Sequence, residues 1–329
     1  MLDMYTKCGS LVDARRLFER TFIRDDVVLW NTLILGYVES GEAQIALTLF
    51  DRMTSEGCSP DARTFMVAFK ACTCRSEKEE GKRVCGKTVK LETMRKAMEI
   101  HSQAAKCGYD SDLFVATTMI DMYAKSGSLK DAEKVFQEMK NRDVVAWTTM
   151  VLAYAEQDAS KHLALELLDR MQREGCAPIS LTYVAALKAC ASLAMEEEGE
   201  KINGKVVKVL SLERGAAIHS KAEEQGFDLD LLVMNAAVDM YSKCGSMVDA
   251  GKTFDRMVLR SVTSWNTLMM GVTARLQILE LLWLLSRPLR ICQRCKVDGN
   301  FTEKSAATVT SSMRSSQILW WMFTASVEA

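Results

Sequence analysis

The chain has 329 residues, is 48% hydrophobic and 26% charged, and carries a net charge of -1. Its apolar content is ample for a core, and its near-neutral balance neither marks nor excludes a nucleic-acid partner, because a basic groove can coexist with an acidic outer face. Only 3 prolines leave long stretches free to be helical, and the 11 cysteines recur at matching places (Cys8 with Cys244, Cys58 with Cys176, Cys72 with Cys190). They read as reduced, buried thiols of an intracellular protein rather than as disulfides.

A nine-residue phrase occurs at residues 2–10 (LDMYTKCGS), 120–128 (IDMYAKSGS) and 238–246 (VDMYSKCGS), 118 residues apart each time. Self-similarity at a fixed period predicts a stacked repeat architecture, whose units contact mainly their neighbours and share one extended binding surface. In chain order, residues 1–26 read as an incomplete short repeat. Residues 27–61 form a standard repeat: Trp30, Leu33, Ile34 and Tyr37 fall at helical spacing, as do Ile45, Ala46, Leu49, Phe50 and Met53. Gly41 divides the two helices, and Gly57 with Pro60 ends the second. Residues 62–112 form a longer repeat, opening on Thr64-Phe65 and closing on Ile100-His101-Ser102, with a charged insertion over 77–83 that reads as a solvated loop or helix rim. Residues 113–143 form a short repeat in which Ser128 and Asp131 make a helix-start signal, echoed by Ser10/Asp13 and Ser246/Asp249. The hydroxyl and carboxylate are expected to satisfy unpaired N–H groups there.

The cycle then returns as a standard repeat over 144–179, with one residue inserted near Ser160, a long repeat over 180–230 with a charged run at 196–201, and a short repeat over 231–261. Residues 262–275 begin another standard repeat that is left incomplete. The pattern stops after Arg275, and the atypical tail 276–329 reads as a mispredicted or frame-shifted end; its apolar run LQILELLWLL is too short to span a membrane.

The alternation of these three hairpin lengths, with the phrases VVxWN, DMYxKxGS and AIHS, resembles the pentatricopeptide repeat family over residues 1 to about 275, and more narrowly its plant subclass of long, short and standard triplets, here truncated at both ends. The resemblance implies an all-α, right-handed superhelical solenoid of antiparallel helix-turn-helix repeats that binds single-stranded organellar RNA at about one base per repeat. It also implies action in a mitochondrion or chloroplast, although no transit peptide is visible. There the chain would serve as a non-catalytic adaptor for an editing or processing enzyme acting in trans.

In such repeats the fifth residue lies in the first turn of the first helix, and the repeat's last residue sits just before the next helix. The family uses this pair to choose a base. The resemblance assigns Asn31 with Asp61 to uracil, Thr117 with Asp143 to guanine and Asn235 with Ser261 to cytosine. Thr148 faces Ile179, an apolar residue where a polar one is needed, and Asn266 has no identifiable partner. Helix capping accounts for the same residue types, and the two roles can coexist. The second residues Val28, Phe114, Val145 and Leu232 either wedge between bases or pack at repeat junctions. Lys7, Lys125 and Lys243 either neutralise phosphates or complement a helix dipole.

Catalysis has little support. Zinc deaminases need His-x-Glu followed by paired cysteines, whereas His101, His162 and His219 have Gln103, Ala164 and Lys221 two residues on. His101 and His219 read as helix-packing residues, and Cys292 with Cys295 is a lone pair without further ligands. The sequence calls for no cofactor, metal, membrane or small-molecule substrate. The rival readings are a protein–protein scaffold of the tetratricopeptide type, which needs no recurring polar pairs, and a truncated product with little activity.

Overall fold

The structure, a computed structural model, describes residues 1–21, 25–84, 87–157, 160–202 and 205–273. The tail 276–329, with Cys292 and Cys295, lies outside them, as do residues 158–159 beside the expected insertion. Two compact units make up the chain, Met1–Leu193 and Ala194–Ala329.

The first unit contains the helices α1 (Leu2–Lys7), α2 (Leu11–Arg20), α3 (Val27–Glu39), α4 (Ala43–Ser55), α5 (Ala62–Lys78), α6 (Leu91–Lys106), α7 (Leu113–Lys125), α8 (Leu129–Glu138), α9 (Val144–Ala155) and α10 (Lys161–Arg173), and the start of α11 (Ser180–Glu196). Helices α1 to α10 pair off as hairpins. The first helices of successive hairpins also pack on one another, α1 on α3, α3 on α5, α5 on α7 and α7 on α9. This explains their composition. Helix α3 meets α1, α4 and α5, and it buries residues around most of its circumference, from Trp30 to Val38. Helix α2 is amphipathic and buries only Ala14 and Phe18. At the turns Gly41 and Gly57 adopt φ 78° and 85°, a conformation that side-chain-bearing residues resist.

The duplication is visible in the packing. Phe18 meets Trp30 edge-on with centroids 4.6 Å apart, and Phe136 meets Trp147 likewise at 4.9 Å. Arg52 lies over Trp30 at 5.9 Å and Arg170 over Trp147 at 5.5 Å, so each hairpin closes with the same aromatic and cation–π set. Among the described residues the cysteines are free thiols. Cys72 lies in the core, where burial pushes its thiol up to about 12.

The second unit holds α12 (Val209–Glu224), α13 (Leu231–Cys244), α14 (Met247–Arg256) and α15 (Val262–Thr273), with α13 packed against the other three. As read from the sequence, the histidines are packing residues. His219 Nδ1 lies 3.2 Å from the Tyr241 hydroxyl, and His101 Nδ1 lies 2.8 Å from the Tyr123 hydroxyl in the first unit.

Two details differ from expectation. The charged insertions are neither loops nor helix rims throughout. Glu77 and Lys78 finish α5, and a short antiparallel hairpin follows, β1 (Lys82–Val84) with β2 (Lys87–Val89); the second insertion forms β3 (Glu200–Ile202) with β4 (Lys205–Val207). So the all-α array carries two small hairpins, each anchored by one carboxylate. Glu79 accepts the Glu92 and Thr93 N–H groups at the start of α6, and Glu197 accepts those of Leu210 and Ser211 at the start of α12. Burial pushes these carboxyls up, but the bonds outweigh it and hold both below the usual range.

The second difference concerns the Ser-x-x-Asp signal. Ser10, Ser128 and Ser246 are N-caps, yet none makes a side-chain bond to the backbone. Each hydroxyl donates instead to its aspartate, Asp13 at 2.6 Å, Asp131 at 2.5 Å and Asp249 at 2.5 Å. The hydroxyl proton goes to a charged acceptor three residues on, a stronger bond than one to a neutral group. The backbone caps sit on the first helices: Asp26, Asp61, Asp112, Asp143 and Asp230 accept N–H groups at the starts of α3, α5, α7, α9 and α13.

Candidate nucleic-acid interface

The last residue of one repeat is the N-cap of the next first helix, so the sequence-assigned pairs bridge consecutive first helices. The pair Asn31 and Asp61 is brought together: the Asn31 Nδ2 donates to Asp61 Oδ1 at 3.1 Å across 30 residues of chain. Asp61 also forms a capping box with Thr64. Desolvation raises the Asp61 carboxyl, but the bonds from Thr64 and Asn31 outweigh it and hold it below its usual range, so it stays an anion. Asn31 is 4% exposed, and its Oδ1 is buried without a partner.

The other pairs are less joined. The Thr117 hydroxyl donates to the Leu113 carbonyl at 2.7 Å, while Asp143 accepts from Ala146 N at 2.8 Å. Asn235 has a buried Oδ1 without a partner, as Asn31 does, and Ser261 exchanges bonds with Ser264 at the start of α15. Asn266 is exposed. Thr148 does not depend on Ile179. Its hydroxyl lies 2.7 Å from that of Thr182, which in turn accepts the Ile179 N–H. Thr64 and Thr182 occupy the same place in the two copies, so the repeated Thr-aromatic opening of the long repeats was the signal for this third member.

The second residues are exposed, not packed: Val28 is 66% exposed, Phe114 65%, Val145 52% and Leu232 59%. In the first unit, Val28, Phe114 and Val145 are exposed apolar groups at one register of the first helices, which marks a contact surface, and Leu232 holds the same register in the second unit. The long repeats continue the row with Arg63, which is exposed, and Leu181, which sequence reasoning passed over. The recurrent lysines have a nearer partner than either reading supposed. Lys7 pairs with Asp3 at 2.8 Å, Lys125 with Asp121 at 3.1 Å and Lys243 with Asp239 at 2.7 Å, each one helical turn back. Among the described residues no group of three or more His, Cys, Asp or Glu could hold a metal, and no helix is long and apolar enough to cross a membrane.

Comparison with known proteins agrees with this architecture. Residues 25–74 match the model of the PPR repeat family, residues 114–144 and 233–262 that of the PPR repeat, and residues 141–192 that of the pentatricopeptide repeat domain. The chain is 34% identical over 273 residues to the Arabidopsis thaliana pentatricopeptide repeat-containing protein At2g33680, covering 83% of this chain and 33% of that protein. It is 33% identical over 269 residues to At3g24000, mitochondrial, of the same plant, covering 82% of this chain and 37% of the relative. The chain thus spans about a third of the length of the curated relatives it matches. Among solved structures, PPR10 in complex with an 18-nt psaJ RNA element aligns with a TM-score of 0.47 at 16% identity, covering 85% of this chain and 42% of that one.

Proposed function

The chain belongs to the pentatricopeptide repeat family, and from that premise we propose that its stacked first helices bind single-stranded RNA with base selectivity. The observation that carries this reading is the Asn31–Asp61 bond. An amide and an ionised carboxylate from consecutive first helices are held side by side, beside an acceptor with no partner. The exposed second residues on either side supply the sequence-tolerant part of binding by wedging between bases.

In this reading the chain positions RNA and a partner enzyme performs the chemistry, in organellar editing or processing. The location is a mitochondrion or chloroplast, in keeping with relatives whose names carry those words. The repeat order supports assignment to the subclass of long, short and standard triplets.

The test is binding of a randomised single-stranded RNA pool by the full chain and by Asp143→Asn. Asparagine caps a helix as well as aspartate does, so stability holds while an acceptor becomes a group that both donates and accepts. The preferred base opposite this repeat should move from guanine towards adenine, by about 1–3 kcal/mol on the scale of a good base-edge pair. An unchanged preference in a helical variant would sink base reading by Thr117 and Asp143. No RNA binding by the parent chain would favour the scaffold reading.

A further inference from the structure

The polar groups of the two standard repeats share a neighbour that belongs to neither, the third residue of the long repeat that follows. In the first copy it is Thr64, which is wholly buried. Asp61 Oδ1 accepts three bonds, from the Thr64 N–H at 2.7 Å, the Thr64 hydroxyl at 2.7 Å and Asn31 Nδ2 at 3.1 Å. Thr64 Oγ1 accepts the Asp61 N–H in return, at 3.2 Å. An ionised carboxylate offers about four acceptor sites over its two oxygens, yet here every donor gathers on one. Asp61 Oδ2 has no partner among the described residues, and the residue is partly exposed.

In the second copy the residue is Thr182, equally buried, and it reaches the fifth residue with no carboxylate between them. The Thr148 hydroxyl donates to the Val144 carbonyl at 2.7 Å, so the 2.7 Å bond between the two hydroxyls is donated by Thr182. Thr182 itself accepts the Ile179 N–H at 3.2 Å. One chain of bonds therefore runs from the Ile179 N–H through both hydroxyls to Val144, and the lone pair left on Thr148 makes it an acceptor towards a ligand. A helix start does not need this hydroxyl. Asp112 and Asp143 cap α7 and α9 with Val115 and Ala146 three residues on, whose N–H groups bond at 3.0 and 2.8 Å. What the threonine adds is a fixed orientation of the group at the pair, and recognition depends on side chains locked by such supporting bonds.

We propose that Thr64 and Thr182 are positioning residues for base selection by the standard repeats that precede them. Thr64 pins Asp61 by one oxygen and leaves the other for the base, and Thr182 fixes the Thr148 hydroxyl as an acceptor. The inference rests on the RNA-binding reading above and extends each selecting set into the next repeat.

The experiment measures base preference repeat by repeat, with the full chain and the same randomised single-stranded RNA pool. Thr64→Val keeps the shape and removes the hydroxyl, an arrangement that Asp112 with Val115 already tolerates. It should cut the preference for uracil opposite 27–61 by roughly threefold to tenfold, the range of one net hydrogen bond, and leave the guanine preference opposite 113–143 unchanged. Thr64→Ser should restore the parent preference, which a role in packing through the methyl group would not. Thr182→Val should act only opposite 144–179. Far-ultraviolet dichroism confirms that each variant is folded. If the parent chain selects these bases and a folded Thr64→Val keeps its uracil, or loses its guanine equally, or if serine fails to restore the preference, Thr64 is not a positioning residue, while RNA binding stands. Should Thr64→Val fail to fold, Thr182→Val carries the test, and an unchanged preference opposite 144–179 overturns the proposal. If the parent chain selects no base opposite these repeats, both readings fall together.

Discussion

Placing a methyl group on Gly36 tests the closest approach between first helices. A Cβ there would lie 2.6 Å from Thr6 Cγ2 and 2.8 Å from Thr6 Cβ, far inside van der Waals contact. Thr6 is β-branched in a helix and its hydroxyl donates to the Asp3 carbonyl at 2.9 Å, so it has no free rotamer into which to retreat. Against this, alanine is a better helix former than glycine by about 0.8–1.0 kcal/mol. Overpacking of this kind costs about 1–3 kcal/mol, so Gly36→Ala should destabilise the α1–α3 junction by about 1 kcal/mol net. The second copy shows how the junction accepts a methyl group: the corresponding residues are Ala153 and Ala124. The third copy returns to glycine opposite a hydroxyl residue, Gly271 with Ser242 Cβ at 2.4 Å. Thr6→Ala removes the nearer clashing atom and leaves the other, so it should recover part of the loss, with a coupling of about 1 kcal/mol in a double-mutant cycle. Hydrogen exchange of α1 and α3 amides, alongside urea denaturation, reads the effect locally, as suits an array whose units need not unfold together. Equal protection in Gly36→Ala and the parent chain would refute the argument.

Three further outcomes follow from the same packing. Gly215→Ala should be neutral or stabilising by up to about 1 kcal/mol, because its Cβ meets the unbranched Met240 side chain, at 2.3 Å from Sδ and 3.0 Å from Cγ, and the first copy already has Ala97 with Met122 at the corresponding positions; a loss in thermal melting would contradict this. Asp61→Ala should cost more than Asp26→Ala, about 2–3 kcal/mol against about 1, since it removes a cap and also leaves the buried Asn31 amide unpaired; equal losses in urea would show that the Asn31 bond contributes nothing. His219 is held below its usual value of 6.5 by burial, which outweighs the attraction of Glu223. The unfolded chain therefore takes up a proton before the folded one does, and stability is full above about pH 6.5 and falls as the pH drops below it. His219→Gln should flatten the melting profile in that window, and an unaltered profile would count against it.

The helical hairpins were legible because the first helices are buried on several sides and the second on one, so apolar spacing alone reports them. The insertions were not. Their charge pointed to solvent, while the features that shape them, Glu79 reaching the start of α6 and Glu197 that of α12, join residues 13 and 14 apart with no periodic signal. The Ser-x-x-Asp phrases were visible as helix starts, but residue types do not say whether a serine hydroxyl faces a backbone amide or a carboxylate. At the site, Asn31 and Asp61 came from family resemblance, and the structure adds their bond. Thr182 as the partner of Thr148 was hidden by attention to the last residue of the repeat, where Ile179 breaks the pattern.

That substitution shows what the last residue does. In the first copy Asp61 both caps α5 and meets Asn31, so one carboxylate serves the next helix and the previous repeat's fifth residue. In the second copy Ile179 does neither through its side chain; Thr182 keeps the bond that Thr64 makes in the first copy, accepting the N–H of the repeat's last residue, and meets Thr148. The helix start therefore survives loss of the aspartate, while the charged acceptor at the pair does not. Capping alone cannot explain why the aspartate is placed within reach of a buried asparagine in one copy, since the threonine suffices for a start in the other. The difference between the copies falls on the part of the arrangement that a base would meet, which is where two repeats reading different bases should differ.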